Sequence, residues 1–485
     1  MTINNPRLSR RSVMLSSIAS VAYPAARSAQ AQSKPKPMAK ALPARGDILI
    51  KNAFVMSMDR TLGDIDGGDI LVSNGQIVAV GRNLDARSAQ RIDATGMVAM
   101  PGMIDAHTHF WSSQMRGNFG DTKESIYFLT RNRLANGYQA HDMYVGTLLG
   151  AAEAIYSGIT TSVDFCHNAR GRSFVDACIK ALKESGLRTR FLYGATTVMQ
   201  PSESIDLADL ENLARDWKQV VGDSPLTLGL AWRGPLGIMT IIPGATGNPV
   251  AEVAKAEIDT ARRLGLPSGT HVSGPLAGEQ YKALEDGGYL GKDLQLVHMS
   301  NLSPVQLSAA AAAGSPIAIT PITELRVGYG MTKVSDFIDS GARLGLGVDS
   351  NSLAGVSDMF SVLKLCMLIE AGRTKNELAT PARKLLELAT IEGARSLGMD
   401  DQIGSLTAGK RADLILVDLN GINMGNFATN PSHLLIESTR PENVSTVIVD
   451  GRILKHKGSL TLLDSTQIVL SARDSIVAIS KRVAA

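Results

Sequence analysis

His107 and His109 stand one residue apart at the end of Met100-Pro101-Gly102-Met103-Ile104-Asp105-Ala106-His107-Thr108-His109, which closes a largely apolar run. In an extended chain, residues i and i+2 point to the same side. Both imidazoles then face one point, where a borderline-soft ion such as zinc takes nitrogen ligands. A lone His-x-His often arises by accident. This one follows Pro-Gly and has partners of the right type downstream. His271 ends Pro267-Ser268-Gly269-Thr270-His271, His298 ends Leu294-Gln295-Leu296-Val297-His298, and Asp349 ends Leu344-Gly345-Leu346-Gly347-Val348-Asp349. Singly, each has a plain reading, as a satisfied core histidine or as a helix-capping aspartate before Ser350-Asn351. Together they point to a bound divalent metal.

The elements that must carry these residues are legible between about 101 and 400. Eight apolar runs alternate with helical patterns: 98–107, 158–166, 188–195, 226–232, 266–272, 294–298, 317–321 and 344–349. Such alternation predicts an α/β fold with a parallel sheet and right-handed crossovers. Eight units in about 300 residues fit a (β/α)8 TIM barrel, whose chemistry gathers at the C-terminal ends of the strands. The candidate residues fall at those ends.

Both ends of the chain read differently. Short strand-like pieces with Asp66-Gly67-Gly68-Asp69 and Asn74-Gly75 turns fill 46–100, and a matching set with Asp450-Gly451 fills 404–465. These two sets predict one small β-sandwich built from both chain ends, around a barrel at 101–403. Residues 32–45 read as a Pro/Lys linker and 466–485 as a C-terminal helix. Residues 1–31 carry Arg7, Arg10, Arg11 and Arg27 and no acid. Ser9-Arg10-Arg11-Ser12-Val13-Met14-Leu15 resembles a twin-arginine export signal. An apolar segment and a small-x-small site at Ala29-Gln30-Ala31 follow. The expectation is periplasmic or secreted, with no membrane anchor after processing. Without those four arginines the net charge of +3 becomes −1, which argues against a nucleic-acid partner. The three cysteines, Cys166, Cys178 and Cys366, form no CxxC pair and read as buried thiols.

These motifs resemble the amidohydrolase superfamily, in its chlorohydrolase/cytosine-deaminase-like branch. The resemblance rests on Pro101 to His109, His271, Val297-His298, Val348-Asp349-Ser350 and the closing Gly404-Ser405-Leu406-Thr407-Ala408-Gly409-Lys410-Arg411-Ala412-Asp413-Leu414. It implies metal ligands at His107, His109, His271 and Asp349, with His298 facing the reacting group. Three neutral imidazoles and a carboxylate suit zinc first, and iron(II) or manganese(II) as well. Such an ion lowers the pKa of its water enough to supply hydroxide near neutral pH. Asp349 would be the general base and His298 would polarise the substrate. The fourth run ends without the lysine of binuclear relatives, so one metal is expected. Families of this kind often form homodimers, though no interface is visible in the sequence.

Two departures shape the expected chemistry. The branch usually carries His-x-x-Glu at the fifth strand, where this chain has His271-Val272-Ser273-Gly274. It also places a substrate-contacting histidine at the fourth strand, where Arg233 follows Trp232. Both weigh against ordinary ring deamination. Hydrolysis of an amide, carbamate, urea or lactam C–N bond in a small molecule is the leading expectation, because Asp349 alone could take the proton from water and return it to a leaving amine. The alternatives are deamination of an aminated heterocycle, dechlorination, and a metal-retaining binding protein without turnover. Glu324 is a second candidate acid, with an ion pair to Arg326 or Arg233 as its preferred reading; an acid and a guanidinium there would select a polar substrate. Trp111 and Gln114 either line the pocket mouth or pack the loop. His167 either touches substrate or makes a structural hydrogen bond.

Overall fold

The computed structural model describes residues 37–196, 199–236, 250–427 and 429–484. The expected leader at 1–31 lies outside them. Among the described residues, no helix is long and apolar enough to cross a membrane.

Nine strands from the two chain ends form one sheet. They are β1 (Ile48–Met56), β2 (Asp64–Ser73), β3 (Gln76–Gly81), β4 (Gln90–Asp93) and β5 (Met97–Pro101). A second group, whose strands are numbered after those of the barrel below, is β14 (Leu414–Asp418), β15 (Val444–Val449), β16 (Arg452–His456) and β17 (Ser459–Leu460). Strand β14 lies antiparallel to β5, from Leu414 opposite Pro101 to Asp418 opposite Met97, and this pairing joins the two halves. Ile48, Ile50, Val55, Ile70, Val72, Leu414, Leu416 and Ile448 belong to an apolar cluster of the sheet's own. The shared domain of both chain ends is therefore present. Part of the expected linker is anchored to it: Ala39 bridges Leu463, and Lys40 N–H donates to the Leu462 carbonyl at 2.9 Å.

The barrel follows the alternation. Its strands are β6 (Met103–Thr108), β7 (Ile159–Cys166), β8 (Arg188–Gly194), β9 (Leu226–Ala231), β10 (Ser268–Val272), β11 (Leu294–His298), β12 (Ile317–Ile319) and β13 (Leu344–Leu346). Neighbours in this order are all parallel. The first apolar run, expected as one strand, is two strands in different sheets. The chain turns at Pro101-Gly102, where proline removes a donor and glycine lies against Thr160 with no room for a side chain.

The barrel closes beside the predicted ligands. Thr108 bridges Asp349 in parallel. Asp349 N–H donates to the His107 carbonyl at 2.8 Å, and His109 N–H donates to the Asp349 carbonyl at 3.0 Å. A Cβ at Gly347 would lie 2.8 Å from the His107 carbonyl oxygen, so glycine is required for this approach. At the opposite pole, Arg188 at the start of β8 binds Asp413 through Nε (2.6 Å) and a terminal nitrogen (3.0 Å), tying barrel to sheet. Both residues are buried, and deleting one partner of such a pair costs about 3–5 kcal/mol.

Candidate metal centre

Each predicted ligand lies at the C-terminal end of a barrel strand or within three residues after it, so the sheet positions all of them on one face. His107 ends β6 within one residue, His109 follows it, His271 lies in β10, His298 closes β11, and Asp349 comes three residues after β13. All five are buried. Three overlapping triads result: His107/His109/Asp349, His107/His271/His298 and His109/His167/His271. Within each, donor atoms lie within 4.8 Å of one another. His167, whose role the sequence left open, therefore joins the histidine cluster. Its ring centroid is 5.1 Å from that of His109 and 5.3 Å from that of His271.

The arrangement asks for a cation. His109 Nδ1 lies 2.9 Å from the Phe165 carbonyl, which can only accept, so Nδ1 carries the hydrogen. In the neutral ring, Nε2 then holds a lone pair, and it faces Asp349 Oδ1 at 3.2 Å. Two acceptors facing each other repel unless a positive charge lies between them. His107 Nε2 is 3.4 Å from the same oxygen, yet neither His107 nitrogen has a hydrogen-bond partner, and His271 Nδ1 has none either. Burial pushes His107 down to about 3, and burial with the neighbouring imidazoles holds His271 and His167 well below the ordinary histidine value. These rings are neutral, the form that binds metal. Burial opposes ionisation of Asp349, but positive charge on the side of His107 and His109 outweighs it and holds the carboxyl well below its usual range. Three or more neutral imidazole nitrogens and one carboxylate fit a single divalent ion.

The polypeptide is strained at this rim. His298 and Asp349 have φ of +73° and +67°, values rare for residues other than glycine. Each costs about 1–3 kcal/mol, and such strain is stored where geometry matters for function.

Residues 98–454 match the amidohydrolase family. The chain belongs to that family. It is a metal-dependent hydrolase of carbon–nitrogen bonds other than peptide bonds, and its barrel and shared end domain are those of its relatives. A 5'-deoxyadenosine deaminase of Methanosarcina acetivorans is 29% identical over 446 residues, covering 88% of this chain and 97% of that protein. A 5-methylthioadenosine/S-adenosylhomocysteine deaminase of Desulforudis audaxviator is 28% identical over 441 residues, covering 88% of this chain and 97% of that protein. The crystal structure of an atrazine chlorohydrolase from Arthrobacter aurescens TC1, complexed with zinc, superposes with a TM-score of 0.78. It is 24% identical and covers 88% of this chain and all of that one.

In this amidohydrolase Glu324 is neither free nor paired with arginine. Its Oε1 lies 3.3 Å from His298 Nδ1 and accepts from Thr320 N–H at 2.7 Å, while Thr332 Oγ1 donates to Oε2. Thr320 Oγ1 sits 3.0 Å from the same His298 nitrogen. Nδ1 is thereby occupied, and Nε2 is the atom left to meet a substrate. The expected Glu324 ion pair is thus corrected to a carboxylate behind a histidine. Glu324→Gln is expected to lower kcat/KM about 10–100-fold with metal content unchanged. Steady-state kinetics beside elemental analysis checks this; metal loss in the variant would instead give Glu324 a role in holding the site together.

Three expected pocket residues face elsewhere. Trp111 is 1% exposed and packs edge-on against Tyr138 at 5.4 Å. Gln114 Nε2 donates to the Asp142 carbonyl at 2.9 Å. Both lie in a 3-10 turn, Phe110–Met115, that follows His109 and is pressed against the helix Ala140–Tyr156. This is the loop-packing alternative, not a pocket mouth. Arg233 binds Glu257 at 2.7 Å and the Glu203 carbonyl at 2.7 Å, so its terminal nitrogen is engaged by the protein. Sequence reasoning missed Tyr329, whose ring lies 5.6 Å from His298, and Tyr127, whose hydroxyl meets Ser350 beside Asp349. No local motif marks either tyrosine.

Asp164 supports the cluster from β7, its Oδ1 accepting from Phe110 N–H at 2.9 Å. Burial raises its carboxyl to about 7, against 3.8 in an unfolded chain. The folded protein therefore holds a proton there that the unfolded chain releases, and stability falls as pH rises from about 4 to 7. In chelated protein, Asp164→Asn should remove that slope. Its advantage over wild type should grow across the window to at most roughly 4 kcal/mol. Urea unfolding of both proteins at several pH values measures the difference.

Proposed function

We propose that this amidohydrolase cleaves an amide-, carbamate-, urea- or lactam-type C–N bond in a small molecule, with one divalent ion, zinc first, in the site of His107, His109, His271 and Asp349. The observation that carries this reading is Gly274. It stands where the deaminating branch has its proton-shuttling glutamate, and its φ of +71° disfavours any residue with a Cβ. Pro275 follows directly and fixes the turn. A carboxylate shuttle at the fifth strand is thus absent in residue type and opposed by backbone.

A metal ion in this donor set supplies Lewis-acid polarisation and an acidified water. Asp349, ionised and at the rim, takes the proton of the attacking water and delivers it to the leaving nitrogen. That nitrogen in an amide or urea becomes basic as the carbonyl carbon turns tetrahedral, so one carboxylate can serve both transfers. His298, held at Nδ1 by Glu324 and Thr320, presents Nε2; a proton taken up there donates to the oxygen on which charge develops.

A second reading is deamination of an aminated heterocycle, favoured by the deaminases among the relatives. A hydrolysis screen on purified enzyme, with and without chelator, separates the two. Amine or acid released from aryl amides, carbamates, ureas or lactams supports the first. Ammonia from aminated rings alone overturns it. The arginine pair in Ser9-Arg10-Arg11 further supports export by the twin-arginine route; a mature N-terminus near residue 32 in the periplasmic fraction would test it.

A further inference from the structure

Three arginines among the described residues are buried: Arg131, Arg188 and Arg452. Two have carboxylates, Arg188 on Asp413 and Arg452 on Asp450 at 2.8 Å. Arg131, only 8% exposed, has none among the described residues. Its Nε and one terminal nitrogen reach the Asn132 side-chain oxygen at 3.3 and 3.1 Å, and its guanidinium carbon lies 5.9 Å over the Tyr127 ring. Both partners are neutral. The undescribed segments 1–36, 197–198, 237–249, 428 and 485 contain no aspartate or glutamate side chain. A buried, unpaired guanidinium is costly unless something negative completes it.

Its place points to what that is. Arg131 lies on the helix Tyr127–Asn136, in the segment linking β6 to β7, on the face of the barrel that carries the metal centre. Tyr127, one turn before it, meets Ser350 next to Asp349. The charge of Arg131 is also felt at His167 and Tyr329. His167 Nε2 is buried without a partner, and Tyr329 stands against His298 and meets Ser273. Arg131, against Tyr127, thus lies on the side of the barrel that holds the reacting position.

We propose that Arg131 anchors a carboxylate of the substrate, so that the enzyme acts on C–N bonds of small acids, such as N-acyl or N-carbamoyl amino acids and lactam acids. The planar fork matches a carboxylate with paired hydrogen bonds. The substrate's charge would complete the buried cation that the chain leaves open. This assignment rests on the hydrolase reading above, and its test separates the two.

The holoenzyme is assayed on N-acyl and N-carbamoyl amino acids and lactam acids, each beside its neutral methyl ester. Wild type should prefer the acids by about 100-fold in kcat/KM, the size expected for a desolvated charged pair. Arg131→Met should raise KM for the acids about 100-fold and leave the esters within about threefold, and Arg131→Lys should fall between. Equal turnover of acids and esters by wild type, or equal losses on both in Arg131→Met, would overturn the assignment while leaving the hydrolase reading intact. If no compound is cleaved, the hydrolase reading is what fails. Binding of phenylacetate and phenylacetamide by calorimetry then decides the anchor alone. Phenylacetate binding that is lost in Arg131→Met supports it, and equal binding of the two probes, or none, overturns it.

Discussion

Asp349→Asn is expected to fold, keep the barrel seam and lose about 10³-fold or more in turnover, at the upper part of the range for removing a general base. The seam depends on the Asp349 backbone, which bonds to His107 and His109 at 2.8 and 3.0 Å and is untouched by the change. The side chain is the part proposed to carry the chemistry. It is the buried carboxylate within 3.4 Å of both His107 and His109, and its ionised state is what lets it take a proton. An asparagine amide is nearly the same size and cannot take that proton. Rates on a cleaved substrate, with circular dichroism to confirm the fold, measure the outcome. Full activity in the variant would remove Asp349 from the mechanism.

His107→Ala should abolish both metal and activity. Its ring touches the whole cluster, with centroids 4.8 Å from those of His109 and His271 and 5.7 Å from that of His298. Neither of its nitrogens finds a protein partner, so the ring has no hydrogen-bonding reason to be buried there. Loss of one ligand from a site of this kind should cut metal content about tenfold or more by elemental analysis. Wild type should melt higher with metal than after chelation, because an ion bound only by the folded state adds stability by mass action. That gap should vanish in His107→Ala. A variant that keeps one metal per chain would move the ion to His109, His167 and His271, the triad without His107.

The site was legible to unequal depth. His107, His109, His271, His298 and Asp349 could be read in advance because each ends an apolar run, and a parallel barrel brings all such ends to one rim. Gly274 could be read by its absence of charge, though only the backbone shows that its φ disfavours a glutamate. The first apolar run was read as one strand because hydropathy is continuous through Pro101-Gly102. Hydrogen bonding divides it between two sheets. Trp111, Gln114 and Arg233 looked like pocket residues because they follow strand ends. Their side chains turn to Tyr138, to the helix Ala140–Tyr156 and to Glu257, partners separated from them by 24 residues or more.

The sequence by itself determined the barrel, the shared end domain and the ring of candidate metal ligands, since these follow from periodicity and from residues placed at the ends of local elements. Only the tertiary structure decided that Glu324 backs His298, that His167 joins the histidine cluster, and that Arg131 is buried with no acid beside it. The reason is physical. Strand and helix periods are local, whereas the partner of a buried polar group is whatever the packing of distant elements brings within hydrogen-bond reach.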